Sequence, residues 1–207
     1  MSRLPAFACM IVLAACTGSL FKDKAIPPSI YLLSAGAAAA APGPQIPADL
    51  SILRPRVRTG LESDRVAALY PDRRLDYFAD ARWSGPLDQV IHDLAVQTFL
   101  TQANLRNVSA DSTAFANGYW LEIEVLDFQA EYTATADAPT VNVRLLGRLG
   151  SAGDRRVLAR FEASSRQAAA DNRLTEIIAA YERGADATLK EIAGDVTAAI
   201  DQNSARR

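Results

Sequence analysis

The stretch Tyr119–Tyr132, YWLEIEVLDFQAEY, decides the fold. Leu121, Ile123 and Val125 alternate with Glu122 and Glu124, which is the period-two pattern of a strand with one apolar and one polar face. The phase then slips by one, so that Leu126 and Phe128 carry the apolar alternation. One extra residue near Val125–Leu126 predicts a β-bulge. Downstream, Val141, Val143 and Leu145 alternate with Asn142 and Arg144, and Val157, Ala159, Phe161 and Ala163 repeat the pattern across the turn Ser151-Ala152-Gly153-Asp154. Three successive strands of this kind predict an antiparallel meander.

Helical periods flank the meander. Leu87, Val90, Ile91, Leu94 and Thr98 recur at steps of three and four, with Ser84 or Gly85 available as a cap and Pro86 suited to the first turn. This helix is expected to end near Asn104. Beyond the meander, Leu174, Ile177, Ile178, Tyr181, Ala185, Leu189, Ile192 and Val196 keep one apolar face, while Asp186 and Lys190 pair on the other side. The closing DQNSARR is polar and is expected to fray.

Upstream, Arg65–Leu69 and Leu75–Phe78 read as two short strands joined through Pro71-Asp72, a turn signal, with Asp72, Arg73 and Arg74 near the tip. Leu50–Val57 reads as a strand whose Pro55 argues for an edge or a bulge. Ile30-Tyr31-Leu32-Leu33 suits a strand, and the Ala-, Gly- and Pro-rich stretch 35–47 suits a surface linker. The sum is an α/β domain over residues 29–203: a mixed, largely antiparallel sheet with two principal helices.

The N-terminus reads as an address. Arg3 precedes an apolar run, and small residues lead to Cys16 within MIVLAACTGSLF, Met10–Phe21. A charged start, a short apolar middle and small residues at the cut describe a secretory signal, too short to span a bilayer. Leu13-Ala14-Ala15-Cys16 resembles a bacterial lipobox, in which the cysteine thiol takes a diacylglycerol and cleavage falls between Ala15 and Cys16. Residues 1–15 are then the signal peptide and 16–28 a lipidated tether. Cys9 would leave with the signal, so the mature chain would hold one cysteine, already acylated.

Composition narrows the function classes. A net charge of −2 over 207 residues leaves no basic footprint for nucleic acid. His92 is the only histidine, and no G-x-S-x-G, P-loop or G-x-G-x-x-G occurs. A lone histidine lacks the partners of a triad or a metal site, and reads as a helix-surface or half-buried residue. Glu122 and Glu124 could be paired carboxylates, but a solvated strand face is the preferred reading. Arg82-Trp83 could hold a ligand by cation–π contact, against the plainer reading that Trp83 packs the sheet-to-helix corner. No catalytic residue, metal or cofactor is expected.

Together these residues resemble the ABC-type transport auxiliary lipoproteins. The resemblance rests on the lipobox ending at Cys16, Ile30-Tyr31-Leu32-Leu33, Asp64-Arg65-Val66, and Leu75-Asp76-Tyr77-Phe78-Ala79-Asp80-Ala81-Arg82-Trp83 before a helix. Leu126-Asp127-Phe128-Gln129 and the helix around Tyr181, Ala185 and Leu189 complete it. It implies a non-catalytic, lipid-anchored subunit on the periplasmic face of the outer membrane, working with an MCE-domain protein and an ABC permease and ATPase that move lipid, with a homo-oligomeric ring as one arrangement. Asp72, Arg73 and Arg74 are the candidate partner contacts, with the faces Glu122/Glu124 and Arg144/Arg148 beside them. An envelope-assembly or peptidoglycan-associated lipoprotein is the alternative.

Overall fold

The computed structural model describes residues 27–36, 43–110, 118–153 and 156–205. The signal peptide, Ala15, Cys16 and most of the tether lie outside the described residues, as does Asp154 of the expected turn. In chain order the elements are β1 (Ser29–Tyr31), β2 (Ile46–Ile52), β3 (Arg56–Val57), β4 (Arg65–Leu69), β5 (Leu75–Trp83), α1 (Leu87–Gln102), β6 (Leu105–Ser109), β7 (Tyr119–Glu131), β8 (Thr140–Ser151), β9 (Arg156–Ala168) and α2 (Leu174–Ser204).

β7 organises the rest. On one side it pairs antiparallel with β8, and β8 with β9, giving the expected meander. The bulge is where the phase slip puts it: Val125 faces Leu145 and Asp127 faces Arg144, leaving Leu126 as the extra residue. Because of that extra residue Val125 and Phe128 both enter the core, while Leu126 stays half-buried rather than joining the apolar face. On its other side β7 takes β2, β3 and β4 in succession, all parallel, at Leu121, Val125 and Ala130 respectively. The sheet is therefore mixed, with the antiparallel ladders the long ones.

Several expectations need correction. Leu50–Val57 is not one strand: β2 ends at Ile52 and β3 starts at Arg56, with buried Pro55 in the break, where the missing N–H breaks no ladder bond. β2 is an interior strand, between β7 and β6. The linker is shorter than 35–47, since β2 begins at Ile46. The second hairpin strand runs on through Trp83, and β6 had no strong alternation to reveal it. Neither Ser84 nor Gly85 caps α1; Pro86 occupies the cap position without a side-chain bond. α2 continues through Ser204 instead of fraying at Asp201.

Both helices cover one face of the sheet. Residues buried from α1 include Leu87, Ile91, Leu94 and Phe99; from α2 they include Ile177, Tyr181, Leu189, Ile192 and Val196. α2 lies so close to β8 that a Cβ on Gly184 would stand 2.9 Å from Val143 Cγ2. Trp83, Phe128 and Tyr181 form an aromatic cluster with ring centroids 5.0–5.8 Å apart. Trp83 is thus a core residue, as the plainer reading held, while Arg82 turns the other way and pairs with Asp64 at 3.6 Å.

The N-terminal segment is stitched to this body. β1 runs parallel to the edge of β5, with Ser29 beside Ala81 and Tyr31 beside Trp83. Tyr31, Leu33 and Ala35 pack against the core, whereas Ile30 and Leu32 are 66% and 74% exposed. Ser34 N–H donates to Glu182 Oε1 (3.1 Å) and Gly36 N–H to Asp186 Oδ1 (3.0 Å), so residues 34–36 strap across α2. Asp186 also holds Lys190 at 2.8 Å, the expected i,i+4 pair.

Candidate functional site

The hairpin of β4 and β5 turns at Tyr70-Pro71-Asp72-Arg73. Arg73 N–H donates to Tyr70 O at 2.9 Å, and Tyr70 N–H to Arg74 O at 3.0 Å. This closes a turn whose last position is left-handed: Arg73 has φ 66°, where glycine is the usual occupant. The two arginines differ in freedom. Arg74 reaches Asp72 at 3.6 Å and Asp76 at 3.7 Å, and its guanidinium lies 4.9 Å from the Tyr70 ring centroid. Arg73 is exposed and has no ion-pair partner among the described residues.

Beneath the turn, Tyr70 stacks on Tyr132 with centroids 5.2 Å apart and planes 7° from parallel. The Tyr132 hydroxyl donates to Asn172 Oδ1 at 2.9 Å, tying the tip to the start of α2. Burial, and then the neighbouring Tyr70, push the Tyr132 phenol above its ordinary range. The tip is therefore a braced platform on which Arg73, among the described residues, makes no direct ion pair.

The second candidate surface is the sheet face turned away from the helices. Glu122 is not simply solvated: it binds Arg148 at 2.6 Å and Arg56 at 2.9 Å, and Arg56 reaches on to Glu124 at 3.3 Å. Asp127, beside the bulge, takes Arg144 at 2.6 Å and Arg58 at 3.2 Å. The hydrogen bond to Asp127 raises the Arg144 pKa above its ordinary value; partial burial opposes this and the Asp127 charge adds to it. Glu131 completes the ladder with Arg166 at 2.9 Å and Asn142 Nδ2 at 3.0 Å. Charges so satisfied make a self-complementary surface rather than an acid–base pair. Arg56 and Arg58 were not among the candidate contacts read from sequence; the alternating Arg54, Arg56 and Arg58 of RPRVR is the signal that could have found them.

At the far end of this face the Trp120 indole lies on Gly150. A Cβ there would fall 2.0 Å from Trp120 Cζ2 and 2.1 Å from Cε2. Gly150→Val is expected to destabilise the domain by about 2 kcal/mol through overpacking. Trp120→Ala should relieve most of that added cost in the double variant, and urea melts of the four proteins would measure the coupling. An additive double variant would show that the ring does not depend on this contact.

His92 serves the fold: its Nε2 stands 3.0 Å from Ile52 O, linking α1 to β2. Among the described residues no cluster of three or more His, Cys, Asp or Glu is placed to hold a metal ion, and no helix is long and apolar enough to cross a membrane.

The family model for the ABC-type transport auxiliary lipoprotein component matches residues 31–193, and the chain belongs to that family. Among solved structures, a Xanthomonas campestris protein of family DUF330 superposes with a TM-score of 0.74 at 21% identity, covering 86% of this chain and 99% of that one. A hypothetical protein from Chlamydia trachomatis gives a TM-score of 0.52 at 11% identity, covering 76% and 100% respectively. Likeness at such identities concerns the fold. No curated protein matches the chain in sequence.

Proposed function

We propose that this chain is the non-catalytic docking subunit of an MCE-type lipid-transport system. Anchored by acyl chains on Cys16 at the periplasmic face of the outer membrane, it holds the MCE-domain protein, and through it the ABC permease and ATPase, near that membrane. The observation that carries the reading is the family match across residues 31–193, nearly the whole folded domain. The domain's surfaces agree with it in kind: a braced hairpin tip bearing Asp72, Arg73 and Arg74, and a charged sheet face including Glu122, Glu124, Arg144 and Arg148, suit contact rather than turnover.

The test is capture from detergent-solubilised envelope with a C-terminally tagged chain, using Cys16→Ala as the control. MCE, permease or ATPase subunits are expected in the eluate, identified by mass spectrometry. Recovery of cell-wall proteins alone, under detergent mild enough to keep transporters intact, would sink this reading in favour of an envelope-assembly lipoprotein.

A further inference from the structure

We propose that the hairpin-tip end of the domain faces the lipid surface, with Arg73 in contact with its headgroup phosphates. The inference rests on the anchor reading above and adds an orientation to it. Its ground is the direction of β1. That strand runs parallel to β5, which starts at the tip with Leu75 and leads away from it, and Ser29 sits beside Ala81. The chain therefore enters Ser29 heading away from the tip.

That direction is fixed from downstream as well. Ser84 N–H donates to Tyr31 O at 3.0 Å, and Ser34 and Gly36 are bonded to Glu182 and Asp186 on α2. The strand cannot reverse without breaking these contacts. From the level of Ala81 to Leu75 is six residues of strand, about 20 Å. A tether of residues 16–28 spans at most about 45 Å when fully extended. It reaches past the tip with slack to spare, so a lipid surface holding Cys16 lies within reach of the turn.

The tip's chemistry fits the occupant. Arg73 occupies a left-handed position that glycine fills with less strain, and among the described residues its guanidinium has no ion-pair partner, while Arg74 is shared between Asp72 and Asp76. Other charges at this end are Asp137, exposed, and the Asp171–Arg173 pair at 2.9 Å. Four carboxylates stand here against three guanidiniums, a net charge of −1, so the tether supplies the approach and Arg73 a single phosphate contact. In this orientation Asp72, Arg73 and Arg74 meet lipid instead of the protein partner expected there, and the opposite end, with the Gly153 turn and the C-terminus of α2, is left for that partner.

The mature chain offers no second thiol, so single cysteines report position cleanly. Ala134→Cys lies in the exposed loop after β7 at the tip end, and Gly153→Cys in the open turn before β9 at the other. Each acylated protein would be labelled with a fluorophore and reconstituted into phosphatidylcholine–phosphatidylglycerol vesicles carrying a headgroup-attached quencher. Quenching at residue 134 is expected to exceed that at residue 153 at least threefold, and Arg73→Glu should reduce it. Equal or reversed quenching in protein that floats with the vesicles overturns the orientation alone. An unchanged signal in Arg73→Glu overturns the Arg73 contact, as does a tip that cross-links in native envelope to a protein instead of lipid. Failure of the acylated protein to float overturns the anchor reading, and the orientation with it.

Discussion

Tyr181→Ala lowers folding stability by about 4 kcal/mol, the loss expected for deleting a fully buried aromatic ring. Tyr181 is completely inaccessible in the middle of α2, and its ring meets both Trp83 from β5 and Phe128 from β7. Its hydroxyl donates to Ala67 O on β4 at 2.5 Å, so one side chain joins the long helix to three strands. Tyr181→Phe separates the contributions: it keeps the ring contacts and removes one neutral hydrogen bond, at a cost of about 1 kcal/mol. For a domain of this size the alanine variant should melt about 8–16 °C lower. Calorimetry on both variants checks this, and a Tyr181→Ala shift no larger than that of Tyr181→Phe would mean that the ring is not a keystone. Burial raises the Tyr181 phenol well above its ordinary value. Its folded-state pKa thus exceeds the unfolded one, so its contribution is fully present below about pH 10 and declines only above that. The deficit of the alanine variant should accordingly stay constant between about pH 6 and 9.

The parts of the fold legible in the sequence were those governed by local periodicity. The slip at Val125–Leu126 marked the bulge because adding one residue reverses every later side chain. The apolar faces of α1 and α2 and the Pro71-Asp72 turn were equally local. What escaped notice was set by partners distant in sequence. Nothing within Ile46–Val57 says that its two pieces lie parallel along β7, because such short parallel segments are chosen by the strand that receives them. β6 was hidden for the same reason. The strap bonds of Ser34 and Gly36 to α2 fall in an Ala- and Gly-rich region whose composition reads as linker. At the candidate site, the turn at Asp72–Arg74 was visible, but not which arginine would be free. That distinction depends on the left-handed backbone at Arg73 and on Asp76 returning within reach of Arg74.

Cys16→Ser moves the protein from the membrane pellet to the soluble fraction without altering its melting profile. The first half of this expectation follows from acyl-chain partitioning. Each buried methylene contributes about 0.8 kcal/mol, so a single myristoyl-length chain gives only reversible binding, near 10⁴ M⁻¹, while two or more chains hold a protein firmly. Serine keeps the size and polarity of the position but lacks the thiol nucleophile that forms the thioether. The second half follows from placement: the first described strand begins at Ser29, and among the described residues the core lies beyond it. Cys9→Ser is the internal control, expected to leave the distribution unchanged because under the proposed anchoring that residue would leave with the signal peptide. Fractionation with a salt wash, together with intact mass, reads the result. The wild-type chain should begin at residue 16 and carry the added mass of diacylglycerol and an amide-linked acyl group. A Cys16→Ser protein that still pellets through the salt wash, and whose intact mass shows the signal peptide removed, would show that something other than Cys16 holds the domain at the membrane. Attention would then turn to its own surfaces, starting with the hairpin tip.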